Sequence, residues 1–168
     1  LEEFMTPVQH ARLEQVHHVD FAYEAEGLGR FRVNVYRHVA GLAAAVRPVP
    51  TQPPKLSSLS LPGVVEHMLA VGKGLVLVTG PTGSGKSTTL AGMLSHINAT
   101  RRGHIITLED PIEFVHPYDK CVVTQREIGP HAPSFGEALR SALREDPDVI
   151  LVGEMRDAET ISLALTAA

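Results

Sequence analysis

The chain has 168 residues, 43% hydrophobic and 20% charged, with a formal net charge of −4. That balance reads as soluble and globular, and no apolar run is long enough to cross a bilayer as a helix. It also argues against a nucleic-acid-binding stripe: the densest basic pair, Arg101–Arg102, follows a helical segment, where it complements the helix C-terminus.

The first residues, LEEFMTPVQH, show no basic region followed by an apolar stretch, so they do not read as a secretory signal. Residues 19–50 read as antiparallel strands. In Arg30–Arg37, Phe31, Val33 and Val35 alternate with Arg30, Arg32, Asn34 and Tyr36. Turn-like Glu26-Gly27-Leu28-Gly29 joins this segment to Val19–Ala25 as a hairpin, and a third strand is expected over Leu42–Val49. So few strands are marginal alone, so something further N-terminal is expected to complete the sheet. The proline-rich stretch Pro48–Pro54 and the serines of Ser57–Ser60 break regular structure. The expected organisation is a partial first domain over 1–50, a linker over 51–61 and part of a second domain over 62–168.

A short helix is expected over Pro62–Ala70, then an unbroken apolar strand at Leu75–Thr79, as in a buried parallel sheet. A helix follows from Lys86 to about Ala99, with Leu90, Met93, Leu94 and Ile97 at helical spacing. Strands are expected at His104–Leu108, Lys120–Gln125 and Val149–Val152. Ser134 and Glu137 form a capping-box pattern opening a further helix, and a last helix carries Ile161, Ala164 and Leu165. Strands alternating with helices predict a mainly parallel α/β sheet. The absence of an initial Met and the apolar run Ile161–Ala168 at the end are expected of a piece of a longer protein.

Gly80-Pro81-Thr82-Gly83-Ser84-Gly85-Lys86-Ser87 matches GxxxxGK[ST] in full. Triphosphate oxygens are cradled by backbone N–H groups, so the chain must come close and adopt positive φ, which suits glycine. The helix that follows points its N-terminus at the anion. Lys86 is placed to neutralise the β and γ phosphates, Ser87 to coordinate Mg²⁺, and Thr88 to cap the helix or meet the α-phosphate. An apolar strand before and an amphipathic helix after this loop support ATP with Mg²⁺ over a ligand-free glycine turn.

Hydrolysis needs an oriented water and a second anchor for the metal. His104–Leu108 runs into Glu109-Asp110-Pro111-Ile112-Glu113, and Val149–Val152 runs into Gly153-Glu154. Both place carboxylates beyond strand C-terminal ends, where open α/β sheets bind ligands. Taken alone, the first group reads equally as a solvated loop. Glu154 takes the Walker-B position. Among nine histidines there is no HExxH spacing and no Cys–His cluster, which predicts no metal–histidine site. The single Cys121 has no disulfide partner, sits in an apolar strand pattern that predicts burial, and fits a reducing cytoplasm.

Together, Gly80–Thr88, the acidic box Ile106-Thr107-Leu108-Glu109-Asp110-Pro111-Ile112-Glu113 and the run from Leu139 to Asp157 resemble the secretion ATPases of the type II/type IV pilus superfamily. Gly29-Arg30-Phe31-Arg32-Val33-Asn34, Lys120–Glu127, and Arg144-Glu145-Asp146-Pro147 with Gly153-Glu154-Met155-Arg156-Asp157 resemble its pilus-retraction branch most. The resemblance implies a RecA-like P-loop core, here incomplete, preceded by part of a small α+β PAS-like domain. It implies ATP and Mg²⁺ as ligands, with Lys86 and Ser87 on phosphate and metal. Glu113 would polarise the attacking water, and Glu154 would be the Walker-B glutamate. Arg32 and Arg47 would approach the phosphates, although on the sequence alone Arg32 reads equally as a solvated strand-face arginine. It further implies a cytoplasmic homohexamer at the inner-membrane base of a pilus, acting on a platform protein there. The family continues into a histidine-containing box beyond Ala168. Rivals are a pilus-assembly or type II secretion motor of the same superfamily, and a nucleotide-binding regulator that does not hydrolyse.

Overall fold

The computed structural model describes residues 4–50 and 52–168. The chain divides into two compact units, residues 1–51 and 52–168.

The first unit is one helix on a three-stranded antiparallel sheet: α1 (Pro7–Val16), β1 (His18–Ala25), β2 (Gly29–His38) and β3 (Gly41–Val49), in sheet order β1-β2-β3. Sequence reasoning left α1 unassigned. Its start is nevertheless encoded locally: the Thr6 hydroxyl accepts from the Gln9 N–H at 3.4 Å, the Gln9 side-chain Oε1 accepts from the Thr6 N–H at 2.8 Å, and Pro7 opens the first turn. Alternation along the strands sends Val19, Phe21, Val33 and Val35 to one face, where Leu13 and Met5 pack on them. On the opposite face, Arg32 and Arg47 are direct cross-strand partners. Both side chains are exposed.

The second unit contains α2 (Val64–Leu69), α3 (Lys86–Thr100), β4 (Gly103–Glu109), β5 (Cys121–Glu127), α4 (Phe135–Ala142), β6 (Val149–Val152) and α5 (Ala158–Ala167). The sheet order is β5-β4-β6, parallel throughout. Strand β4 is central, and its side chains are divided between two layers. Ile105 packs with Leu94 and Ile97 of α3 and with Cys121 and Val123 of β5. Ile106 and Leu108 pack with Ala138, Leu139 and Ala142 of α4 and Ala164 of α5. This burial on both faces explains why β4 reads as an unbroken apolar run. Caps fix the helices on one side: Ser134 Oγ accepts from the Glu137 N–H at 3.3 Å and Asp157 Oδ1 from the Thr160 N–H at 2.8 Å. Within the segment expected as a linker, residues Leu56–Ser58 form a 3-10 turn and Leu56 is buried. Gly92 lets that turn approach α3, since a Cβ there would lie 2.6 Å from Leu59 Cδ1.

One expected strand is corrected. Leu75–Thr79 forms no strand and belongs to no ladder among the described residues. A strand needs a neighbour about 4.8 Å away. Here a cavity of about 580 Å³, lined by Leu75, Val76, Leu90, Met93, Ile150 and Leu151 among others, adjoins both this segment and β6. The same cavity explains why β6 is only half-buried along its length.

Candidate functional site

The phosphate-type loop is shaped by its glycines and closed on itself by its lysine. Gly80 has φ +151°, and a Cβ there would stand 2.7 Å from Ser84 Oγ, so only glycine lets the loop fold this tightly. Gly85, at φ +89°, is the N-cap of α3 and supplies no side-chain cap, so no side chain covers the first N–H groups of the helix. Lys86 Nζ donates to the carbonyls of Gly80 at 3.0 Å and Pro81 at 2.9 Å, and the Ser84 N–H donates to the Pro81 carbonyl at 3.2 Å. The ammonium group is therefore folded over the loop it belongs to. Ser87 and Thr88 follow in the first turn of α3, half-buried. Pro81, Thr82, Gly83 and Ser84 are exposed at the tip. A glycine-rich loop, a helix N-terminus without a side-chain cap and one lysine thus lie together, the groups from which an anion cradle is built.

The carboxylates lie at the C-terminal ends of β4 and β6. The Gly153 N–H donates to the Leu108 carbonyl at 2.8 Å. A Cβ on Gly153 would come within 3.4 Å of Glu109 Cα, so glycine allows the chain carrying Glu154 to turn directly against the end of β4. Glu154 is paired with Arg156 at 2.9 Å; the arginine is 82% exposed, so this is a screened surface contact worth little stability. Glu113 is exposed, and its backbone N–H donates to Glu109 Oε2 at 3.4 Å.

Glu109 is the perturbed group. Burial pushes its carboxyl above the usual carboxylate range, and the charge of Glu113 pushes the same way; the bonds from Thr107, the Glu113 N–H and Gln125 oppose this. Burial also pushes the nearby His116 imidazole down. Cys121 is buried, with its thiol pushed up by burial and its Sγ donating to the Arg101 carbonyl.

The structure thus brings Glu109, Glu113 and the Gly153–Glu154 turn together at one end of the sheet, and Gly80, Pro81 and Lys86 together in one loop. Arg32 and Arg47 oppose each other in the first unit. Sequence reasoning missed the side chains that hold the acidic loop: Thr107, Gln125 and Glu127. Thr107 Oγ1 donates to Glu109 Oε1 at 2.6 Å, Gln125 Nε2 to the same oxygen at 3.3 Å, and the Ile112 N–H to Glu127 Oε2 at 3.2 Å. For Glu127 a signal exists, the one that marked Glu109 and Glu154: a carboxylate closing an apolar strand. Thr107 and Gln125 carry none. No group of three or more His, Cys, Asp or Glu among the described residues is arranged to hold a metal ion.

A profile of the type II/IV secretion system protein family matches residues 10–168. The chain is 53% identical over 166 residues to the type IV pilus retraction ATPase PilT of Pseudomonas aeruginosa, covering 99% of this chain and 48% of that protein. It is 56% identical over 150 residues to a twitching motility protein of Neisseria gonorrhoeae, covering 89% of this chain and 40% of the relative. Among solved structures, the crystal structure of the pilus retraction motor PilT with bound ADP superimposes with a TM-score of 0.97 at 51% identity, over 99% of this chain and 49% of that one. The chain spans about half the length of these relatives. With the family matched over nearly its whole length, and the glycine loop and strand-end carboxylates in place, the chain belongs to the type II/IV secretion system protein family.

Proposed function

We propose that this chain is part of an ATP-hydrolysing motor subunit that powers type IV pilus retraction, as its PilT relatives are named for doing. The observation that carries the reading is the Gly80–Ser87 loop opening α3 with a glycine N-cap, in the same unit as a parallel sheet ending in Glu109, Glu113 and Glu154. In this reading the loop N–H groups and the N-terminus of α3 bind the phosphates, and Lys86 exchanges its loop carbonyls for phosphate oxygens. Gly80, Pro81, Thr82, Gly83, Ser84, Gly85 and Thr88 shape that cradle. Ser87 and Glu154 are the protein's share of a Mg²⁺ shell. An all-oxygen set with few protein ligands suits Mg²⁺, which keeps waters and takes phosphate oxygens. Mg²⁺ supplies charge neutralisation on the phosphates. Glu113 orients and polarises the attacking water. Arg32 and Arg47 are like charges placed directly opposite each other, which is destabilising unless an anion lies between or beside them, so they are proposed as a phosphate-facing pair. Catalysis rests on positioning and electrostatics, as phosphoryl transfer requires.

The full-length protein is proposed to work as a cytoplasmic homohexamer at the inner-membrane base of the pilus, acting on a platform protein there. Among the described residues no helix is long and apolar enough to cross a membrane. The test is twofold. A fluorescent ATP analogue with Mg²⁺ should saturate the full-length protein and fail to saturate Lys86→Ala. In cells, loss of the protein should abolish twitching while surface pili accumulate; loss of the pili themselves would assign it to assembly instead.

A further inference from the structure

The acidic loop is held from below by two carboxylates on adjacent strands. Glu109 and Glu127 are register partners at the ends of parallel β4 and β5. Pro111 has no N–H to offer, so the next two backbone donors along the loop are those of Ile112 and Glu113. Each goes to a different carboxylate: Ile112 N–H to Glu127 Oε2 at 3.2 Å, Glu113 N–H to Glu109 Oε2 at 3.4 Å. Both acceptors are themselves fixed. Glu109 Oε1 receives the Thr107 hydroxyl and the Gln125 amide. Gln125 in turn donates to the Phe114 carbonyl at 2.9 Å and accepts from the His116 N–H at 2.8 Å, clamping the far side of the loop. Glu127 is 3% exposed, and its own N–H donates to His131 Nδ1 at 2.9 Å.

Glu113 itself is exposed, so no packing defines where its carboxylate points. Its aim is set by its backbone, and its backbone is held by two carboxylates, the buried Glu127 and the half-buried Glu109. Carboxylate acceptors on two consecutive backbone N–H groups restrain both peptide planes at once, although each bond is long. We propose that Glu109 and Glu127 are a pair of positioning residues that grip consecutive backbone N–H groups of the loop and hold Glu113 in its catalytic orientation. The inference rests on the reading above, in which Glu113 polarises the water that attacks ATP. It adds the device that makes an exposed glutamate precise.

The test compares Glu127→Gln with Glu127→Met in the full-length protein. Both keep the length of the side chain, but only glutamine keeps an oxygen that accepts the Ile112 N–H. The methionine variant should lose at least roughly tenfold in kcat while the Kd for a fluorescent ATP analogue stays within about twofold; the glutamine variant should stay within about threefold of the wild type in both. The same pair of substitutions at Glu109 gives a second reading. If neither methionine variant folds, Glu127→Asp, which withdraws the carboxylate by one methylene, is judged by the same split between kcat and Kd. Amide hydrogen exchange at Ile112 and Glu113 should quicken in every variant that loses kcat. Undiminished kcat in the folded variants lacking the acceptor overturns the inference, as does an equal loss of kcat and nucleotide affinity. A wild type that hydrolyses no ATP, or whose hydrolysis survives Lys86→Ala, overturns the ATPase reading and this inference with it. Wild-type turnover that needs Lys86 but ignores Glu109 and Glu127 overturns this inference alone.

Discussion

Two apolar segments of the second unit lead to the proposed site residues, and they are held in opposite ways. Strand β4 has parallel neighbours on both flanks and a helical layer on each face; Ile105, Ile106 and Leu108 are 1%, 0% and 0% exposed. Residues 74–80 have no ladder partner among the described residues, and Leu75 and Leu77 are 42% and 60% exposed. The acidic end of the site is therefore built into a sheet. The phosphate end is organised locally, by glycine geometry, by Lys86 folding onto two carbonyls and by α3 packed on Leu56 and β5. Anion binding by backbone N–H groups needs only local shape, whereas aiming a carboxylate at one atom needs a rigid mount.

This division of labour breaks most visibly in catalysis. Lys86→Ala should abolish saturable binding of ATP. Glu113→Gln should bind ATP as the wild type does and lose roughly 10²–10³-fold in kcat, because it removes the group proposed to act on the water and leaves the cradle whole. Single-turnover kinetics beside a binding titration separate the two. If Glu113→Gln also fails to bind, the two ends are one inseparable site and the contrast collapses. The next largest effect is on stability. Leu108→Ala should cost about 3–4 kcal/mol, since it empties a fully buried position between β4 and α4. Leu77→Ala should cost no more than about 0.5 kcal/mol, as for other exposed positions. Urea midpoints at constant slope measure both. A large loss at Leu77 would show that its segment is laterally packed in solution.

The same contrast governs how much of the molecule is legible in its sequence. The loop Gly80–Ser87 is legible because its requirements are local: positive φ, close approach, one cation, a helix start. The helices α3 and α4 and the strands β4 and β5 follow from periodicity, and the Ser134 cap from residue type. Leu75–Thr79 reads as strongly as β4, since each is a short apolar run, yet only β4 meets neighbours; strand formation depends on a partner that local sequence does not encode. Helix α1 escapes for another reason. It buries only Leu13, so no apolar stripe marks it, although Thr6 and Gln9 announce its start. Glu109 and Glu154 stand out as acids closing apolar runs. Their mutual placement, and the bonds made by Gln125 and Glu127, arise from the parallel register of β4 with β5 and β6, whereas the Thr107 bond is local to β4. That register joins residues 18 or more apart in sequence, such as Glu109 and Glu127.

The rigid mount has an electrostatic cost, and pH exposes it. Burial holds the Glu109 carboxyl above its ordinary value of 4.5, helped by the charge of Glu113 and opposed by its three hydrogen-bond donors. A raised folded-state value means that the folded protein binds more protons than the unfolded chain between 4.5 and that value. The contribution of this group is thus fully favourable below the unfolded value and is lost as pH rises through the folded one. Glu109→Gln, which is neutral at every pH, should be more stable than the wild type near neutrality, and its advantage should shrink as the pH is lowered towards 4.5. Thermal melts across that range decide the matter. A difference that does not change with pH would mean that Glu109 titrates normally and that its mount is not desolvated.

The smallest predicted effect sharpens the contrast at its two helix starts. Helix α4, on the sheet side, is capped by the Ser134 hydroxyl; α3, on the phosphate side, starts from Gly85 without a side-chain cap. A cap that satisfies the first N–H groups is useful where a helix only supports a core, and is an obstacle where those groups are to meet a ligand. Ser134→Ala should therefore cost about 1 kcal/mol of stability, the usual worth of such a cap, and leave ATP affinity unchanged. Supplying a competing acceptor at the other start is the converse change. Gly85→Ser must adopt a φ that serine rarely takes and brings a hydroxyl to the first turn of α3, so it should weaken nucleotide binding. If Ser134→Ala weakens binding as much as Gly85→Ser does, the two helix starts are energetically coupled. The phosphate end would then draw its order from the sheet after all.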